Sequence, residues 1–125
     1  MTMRFMTIVK AREPITPPPP QALIDAVGRL GEEASKQGVM VGMGGLMPTA
    51  TGARARLLGG KITVTDGPFS EAKEVIGGFA IYDVASKQEA IEWTRRFLQL
   101  HIEHWKGGEM EVEVRQMYDA PPTGC

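Results

Sequence analysis

Val64-Thr65-Asp66-Gly67-Pro68-Phe69-Ser70-Glu71-Ala72-Lys73-Glu74-Val75-Ile76-Gly77-Gly78-Phe79 joins one strand-like run to another through a segment that does not read as plain linker. Asp66-Gly67-Pro68 is turn chemistry. An Asp carboxylate can accept from nearby backbone N–H groups, Gly67 can take a positive φ, and Pro68 fixes its own φ while biasing Gly67 away from the helical region. Phe69 follows as an apolar anchor expected to pin the turn to the core. Glu71, Lys73 and Glu74 then place three charges in four residues, and Gly77-Gly78 closes the segment before Phe79 opens the next strand. Acid and base on an ordered loop between buried strands is where binding or catalytic groups tend to sit. A tightly capped turn beside a solvated charge cluster uses the same residue types.

Upstream, Ala53–Leu58 and Lys61–Thr65 alternate about Gly59-Gly60, the signature of a hairpin with a primed turn. Ala55 and Leu57 share one face of it, Arg54 and Arg56 the other. Downstream, Phe79–Val84 reads as a strand, and Ser86 with Glu89 forms a capping box for a second helix. Ala90, Thr94, Phe97, His101 and Trp105 make the stripe of that helix, and Gly107-Gly108 ends it. The last strand, Met110 to Tyr118, sets Val112 and Val114 against Glu111, Glu113 and Arg115. Residues 1–118 read as one domain and 119–125 as a loose tail.

At the other end, Arg4–Lys10 is apolar on both faces, the mark of a strand in the middle of a covered sheet. Glu13-Pro14 breaks it, and Pro17 to Pro20 form a rigid connector whose last proline enters the first helical turn. That helix runs to Gln37 with Leu23, Val27, Leu30 and Ala34 as its stripe and Gly38 as its stop. Gly28 and Gly31 each cost about 1 kcal/mol against Ala, so a close approach of the helix backbone to a sheet is expected there. Val39–Met43 is a second strand. Gly42–Gly45 lacks the Lys-Ser/Thr of a phosphate-binding loop.

The order is β, α, β, hairpin, β, α, β. Two amphipathic helices with one stripe each predict an α+β fold, a ferredoxin-like antiparallel sheet with both helices on one face. The opposite sheet face, apolar on the first strand and charged on the hairpin and last strand, is expected to be shared between two copies. A homodimer would bury its apolar part and enclose its charged part in a cleft.

Composition narrows the partners. Fourteen basic and fifteen acidic residues give a net charge of −1, no footprint for nucleic acid or an anionic membrane. The one cysteine, Cys125, builds no internal disulfide and no zinc site. No apolar run approaches a membrane span, and Arg4, Lys10 and Arg12 interrupt any signal-like core, so a cytoplasmic location is expected. No cofactor is called for.

Asp66 is the candidate general base, since a carboxylate beside a buried Phe at a cleft can have its pKa raised. Capping of its own turn is the competing role. Glu74, with Glu71 and Lys73, could supply an acid, a cation for an anionic substrate, or a rigidifying ion pair. Arg54 and Arg56 are spaced to grip a carboxylate or phosphate, or else to pair with Glu111 and Glu113 across the sheet. Phe69 completes the expected substrate-binding set of Arg54, Arg56, Phe69, Glu71 and Lys73. His101 and His104 stand at i and i+3, a spacing that can meet one metal, yet no third ligand is fixed nearby and a packing role is expected. Two functions fit these residues: a small-molecule-binding dimer with isomerase or lyase chemistry on an anionic metabolite, or a non-catalytic regulatory or partner-binding module.

Asp66-Gly67-Pro68-Phe69, with Glu71, Lys73-Glu74 and Gly77-Gly78-Phe79, resembles the signature of the DGPF proteins, a branch of the YCII-related superfamily. Gly-Leu-Met-Pro-Thr at 45–49, the Gly59-Gly60 hairpin, Ala90–Phe97, His101, His104-Trp105 and Glu113–Met117 look like family features too. The resemblance implies a dimeric α/β barrel. It also implies relatives mostly of unassigned activity, some encoded beside extracytoplasmic-function sigma factors. Lactone isomerases and a dehydrochlorinase belong to the wider superfamily and use a His–Asp pair whose histidine lies near the first helix. This chain has no histidine in that region, so the pair is not carried over.

Overall fold

The computed structural model describes residues 1–13, 18–69, 74–106 and 109–119. Its elements are β1 (Met3–Ala11), α1 (Gln21–Lys36), β2 (Met40–Gly45), β3 (Ala53–Leu58), β4 (Lys61–Asp66), β5 (Val75–Val84), α2 (Lys87–His104) and β6 (Glu111–Gln116), with one 3-10 turn at Thr49–Thr51. Four strands form an antiparallel sheet in the order β2-β5-β1-β6. With β3 and β4 set aside, that is the β-α-β-β-α-β order of a ferredoxin-like α+β fold.

The hairpin is not part of this sheet. β3 and β4 pair only with each other, a two-stranded arm inserted between β2 and β5. Both turn glycines have positive φ, +58° at Gly59 and +76° at Gly60, as a primed turn requires. The register places Ala55, Leu57, Ile62 and Val64 on one face, and Arg54, Arg56 and Lys61 on the other. Leu57, Leu58, Ile62 and Val64 are 65–76% exposed, so these apolar side chains of the arm are left largely uncovered by the described residues.

Alternation along β1 divides the molecule. Phe5 and Thr7 point to the helices and are buried, while Met6 and Ile8 point away. The core under the helices gathers Phe5, Leu30, Ala34, Tyr82, Val84 and Trp93, with the Tyr82 and Trp93 rings stacked 6.0 Å apart. Burial pushes the Tyr82 phenol up from its ordinary pKa of 10.0. At Gly31 a Cβ would stand 2.7 Å from the Met43 sulfur on β2, so α1 approaches β2 there and a larger residue would displace the Met43 side chain. Gly28 shows no such approach, for nothing lies within 4 Å of its would-be Cβ.

The helix ends depart slightly from expectation. Pro20 is the residue before α1 rather than inside it, and its carbonyl accepts from Leu23 and Ile24. Ser86 Oγ accepts from the Glu89 N–H at 3.2 Å, but Glu89 reaches back to the N–H of Ala85 (2.8 Å), not of Ser86. The helices are tied together on the surface by Arg96, which holds Glu33 with two bonds at 2.5 and 2.9 Å.

On the opposite sheet face the apolar residues are half-buried, and no helix among the described residues covers them. Met6, Ile8, Phe79 and Ile81 form its apolar centre through the pairs Met6–Ile81 and Ile8–Phe79. Beside them Lys10 Nζ reaches Glu113 at 2.9 Å and Glu111 at 3.7 Å, and Arg115 holds the other oxygen of Glu113 at 2.9 Å. These acids are therefore taken by β1 and β6, not by Arg54 and Arg56. The Lys10 hydrogen bond, aided by Arg115, lowers the Glu113 pKa, and the same bond raises that of Lys10.

Arg96 holds the Glu33 carboxyl below its ordinary 4.5, so the stabilisation it brings is present above pH 4.5 and is lost as pH falls through the lower folded value. Glu33→Gln is expected to melt below the parent at neutral pH, with the gap closing under pH 4.5. Thermal melts across that window check it.

Candidate functional site

The chain leaves the sheet at Gly45 and returns at Val75, and one carboxylate governs both crossings. Glu13, just past β1, accepts from the Thr49 backbone N–H (2.6 Å) through Oε1 and from the Thr49 hydroxyl (2.7 Å) through Oε2. The same hydroxyl accepts from the Phe69 N–H at 3.1 Å. Pro48 and Thr49 open the 3-10 turn, where the Thr51 hydroxyl donates to the Pro48 carbonyl (3.0 Å). Glu13, the Gly45–Thr49 crossing and the Asp66–Phe69 turn are thereby one hydrogen-bonded unit.

Gly67 explains itself in this unit. Its N–H donates to the Gly52 carbonyl at 2.8 Å, and any Cβ on it would overlap the Thr49 carbonyl oxygen. The glycine is needed for close approach, not for positive φ, and the Gly67–Pro68 peptide is cis. Phe69 is half-buried and lies outside the core, contrary to its expected role as a core anchor. Its ring instead carries the Arg54 guanidinium, 4.3 Å from the ring centre.

Beside this unit runs a groove of about 560 Å3 whose walls include Arg12, Glu13, Leu46, Pro48, Pro68 and Phe69. Of the residues singled out from sequence, Phe69 lines it and Arg54 joins it by stacking. Asp66 ends β4, exposed, with no hydrogen bond to its carboxylate among the described residues. It does not cap its own turn. Its exposure in the single chain also leaves out the burial that its role as a base called for. Arg56 is exposed on the arm, and Glu74 is exposed just before β5, within the field of Lys10. Glu71 and Lys73 lie outside the described residues. Glu13, Thr49 and Arg12 escaped the sequence reading. Glu13 looked like a strand end, and the only signal toward it was a carboxylate placed directly before a proline connector.

A second hollow, about 300 Å3, lies between the sheet and the helices and is walled by Leu30, Phe97, His101, Trp105, Tyr82 and Val112 among others. His101 and His104 are parted by it. His101 faces the hollow, with Nδ1 bonded to the Phe97 carbonyl at 2.9 Å, while His104 is exposed beside Arg29, Glu33 and Arg96. Among the described residues no three His, Cys, Asp or Glu side chains gather as a metal site. No helix is long and apolar enough to cross a membrane among those residues.

A family model of the YCII-related domain matches residues 3–106, which takes in the sheet strands β1, β2 and β5, the arm, the signature turn and both helices. The chain belongs to the YCII-related family. Uncharacterized protein R00369 of Rhizobium meliloti (strain 1021) is 40% identical to it over 72 residues, 58% of this chain and 56% of the relative. The match thus spans little more than half the length of that curated relative. Within the YCII-related domain, the hydrogen bonds from Glu13 through Thr49 to Phe69 bring distant segments together.

Gly67→Ala is expected to cost about 1–3 kcal/mol, the usual range for forcing volume into a packed site. Thr49→Val, which keeps the shape but removes the hydroxyl, is expected to cost about 1–3 kcal/mol by leaving Glu13 and the Phe69 N–H short of a partner. Urea unfolding measures both, and the Phe69 amide should exchange faster in Thr49→Val alone, with Gly67 intact.

Proposed function

We propose that this YCII-related protein is a homodimer that binds a small anionic or carbonyl-bearing metabolite in the groove beside the Gly67–Pro68 turn. The observation that carries the reading is the hydrogen-bonded clamp from Glu13 through Thr49 to Phe69, which fixes a cation-bearing aromatic at the groove. Arg54 on the Phe69 ring and Arg12 in the wall supply positive charge, and guanidinium forks suit carboxylate or phosphate oxygens. Glu13 has both oxygens engaged by Thr49 and acts as a strut. Acid–base chemistry of isomerase or lyase type would fall to Asp66, whose carboxylate has no hydrogen-bond partner among the described residues.

Two surfaces support the dimer. The sheet face away from the helices has an apolar centre of Met6, Ile8, Phe79 and Ile81 ringed by charge, and the arm offers Ala55, Leu57, Ile62 and Val64 on one face. Apolar surface of this kind gains about 25 cal/mol for each Å2 removed from water. A second copy would cover both patches and close the groove from the solvent side.

Sedimentation velocity at micromolar concentration is expected to show a dimer, and Ile62→Asp with Val64→Asp, changes on an exposed arm face, should yield a folded monomer. Malonate titrated into the dimer should shift the Phe69 and Arg12 amides, and Arg54→Ala should weaken that binding about tenfold or more, the scale of a charge-assisted contact. A lone subunit in the parent, or malonate binding untouched by Arg54→Ala, would defeat the reading. Turnover on an identified substrate that survives Asp66→Asn would remove the base.

A further inference from the structure

The groove beside the Gly67–Pro68 turn is more apolar than a small ion requires. Arg12 and Glu13 are its only charged lining side chains among the described residues, and everything else on the wall is apolar. Leu46, Met47 and Ile76 stand on it at 51, 73 and 50% exposure, large side chains left uncovered around one concavity. Apolar surface gathered in this way marks a binding surface. Its shape is also set in advance. Pro18, Pro19, Pro48 and Pro68 stiffen the wall, and the Leu46 N–H donates to the Gly77 carbonyl at 2.9 Å. The bonds from Glu13 through Thr49 to Phe69 fix the rest. A wall built like this loses little freedom when a ligand arrives.

The charges on the wall decide what the ligand can carry. The Arg12 guanidinium has no ion pair or hydrogen bond among the described residues, so it is open to a carboxylate. Both Glu13 oxygens accept from Thr49, whose N–H and hydroxyl are neutral and leave the negative charge in place. A second carboxylate on the ligand would meet that like charge. We infer that the groove selects a monocarboxylate with an apolar body, an alkyl or aryl acid whose carboxylate meets Arg12 while its hydrocarbon lies along Leu46, Met47 and Ile76. This rests on the metabolite site proposed above and narrows its ligand class. Size agrees. A cavity of about 150 Å3 holds one benzene, so a groove of about 560 Å3 has room for a chain of about six to eight carbons. Malonate brings the charge but leaves the apolar wall wet.

The probes are butanoate, hexanoate and octanoate, with 1-hexanol as the uncharged control, titrated into the full-length protein beside malonate and followed by NMR. Each added methylene is expected to tighten binding about two- to fourfold, the upper figure being full burial of a CH2. The shifts should fall on the Leu46, Val75 and Ile76 methyl groups and the Phe69 and Arg12 amides. Hexanoate should bind more tightly than malonate, and about tenfold more tightly than 1-hexanol, the scale of a charge-assisted contact. Met47→Ser, a change at an exposed side chain, should flatten the dependence on chain length. Arg12→Gln should weaken every acid by a similar factor and leave that dependence intact. Affinity that does not rise with chain length, or 1-hexanol binding as well as hexanoate, would overturn the ligand class; so would shifts confined to the arm or to the hollow under the helices. Malonate still moving Phe69 and Arg12 in those cases would leave the metabolite site standing. Failure of malonate and the acids alike to move them would bring down the site itself.

Discussion

The Glu13 carboxylate is the point on which the non-core half of the molecule depends. Between β2 and β5 the chain makes a 3-10 turn, a hairpin arm and a cis-proline turn, none of which joins the main sheet. Such an excursion carries a conformational-entropy cost that local contacts must offset. Thr49 does this with three groups at once: its N–H and hydroxyl bind Glu13, the hydroxyl oxygen takes the Phe69 N–H, and its carbonyl packs on Gly67. Both carboxylate oxygens accept, so the contact has charge-assisted strength and a fixed direction. The arm, the turn and the groove inherit their positions from it.

The sheet shows the same economy of elements in its two faces. One face is sealed by helices over Phe5, Tyr82 and Trp93; the other carries Met6, Ile8, Phe79 and Ile81 next to the Lys10–Glu113–Arg115 network. Exposed ion pairs of that kind add little stability, about 0–1 kcal/mol each. Their geometric effect is larger, because they bound the apolar centre and hold β6 in register with β1. The arm matches that pattern, apolar on one face and basic on the other.

Much of the architecture was legible because it is written in short-range periodicity. The alternation of β1, the Gly59-Gly60 turn and the Ser86–Glu89 cap each concern residues within a few positions of one another, and all are present. The detachment of the arm was not legible. Alternation marks β3 and β4 as strands but does not say which sheet they enter. The Glu13–Thr49 contact spans 36 positions, and a carboxylate at a strand end looks like any solvated acid. Asp66 misled for the opposite reason: Asp before Gly-Pro has a strong local reading as a turn cap, yet the turn is held by Thr49 and Gly52 instead. His101 lies on the apolar stripe of α2 as expected, with Trp105 just past the helix end, but a stripe says which face turns inward, not whether the space it faces is filled.

That space stays open for a reason found in the glycines of β2 and β5. A Cβ on Gly78, which pairs with Gly45, would stand 3.0 Å from the Gly44 carbonyl oxygen. Gly44 pairs with Phe79 and faces away from the hollow, while Gly45 and Gly78 face it without side chains. Their share of the wall is therefore backbone alone. From the other side, Met43 of β2 lies against Gly31 of α1, and Ala34 and Ala90 are buried outright, so small residues line the helix side there. Close packing normally fills such gaps with rotamers. Here glycine backbone lines the end of the core in place of side chains, and an apolar hollow is what those constraints leave.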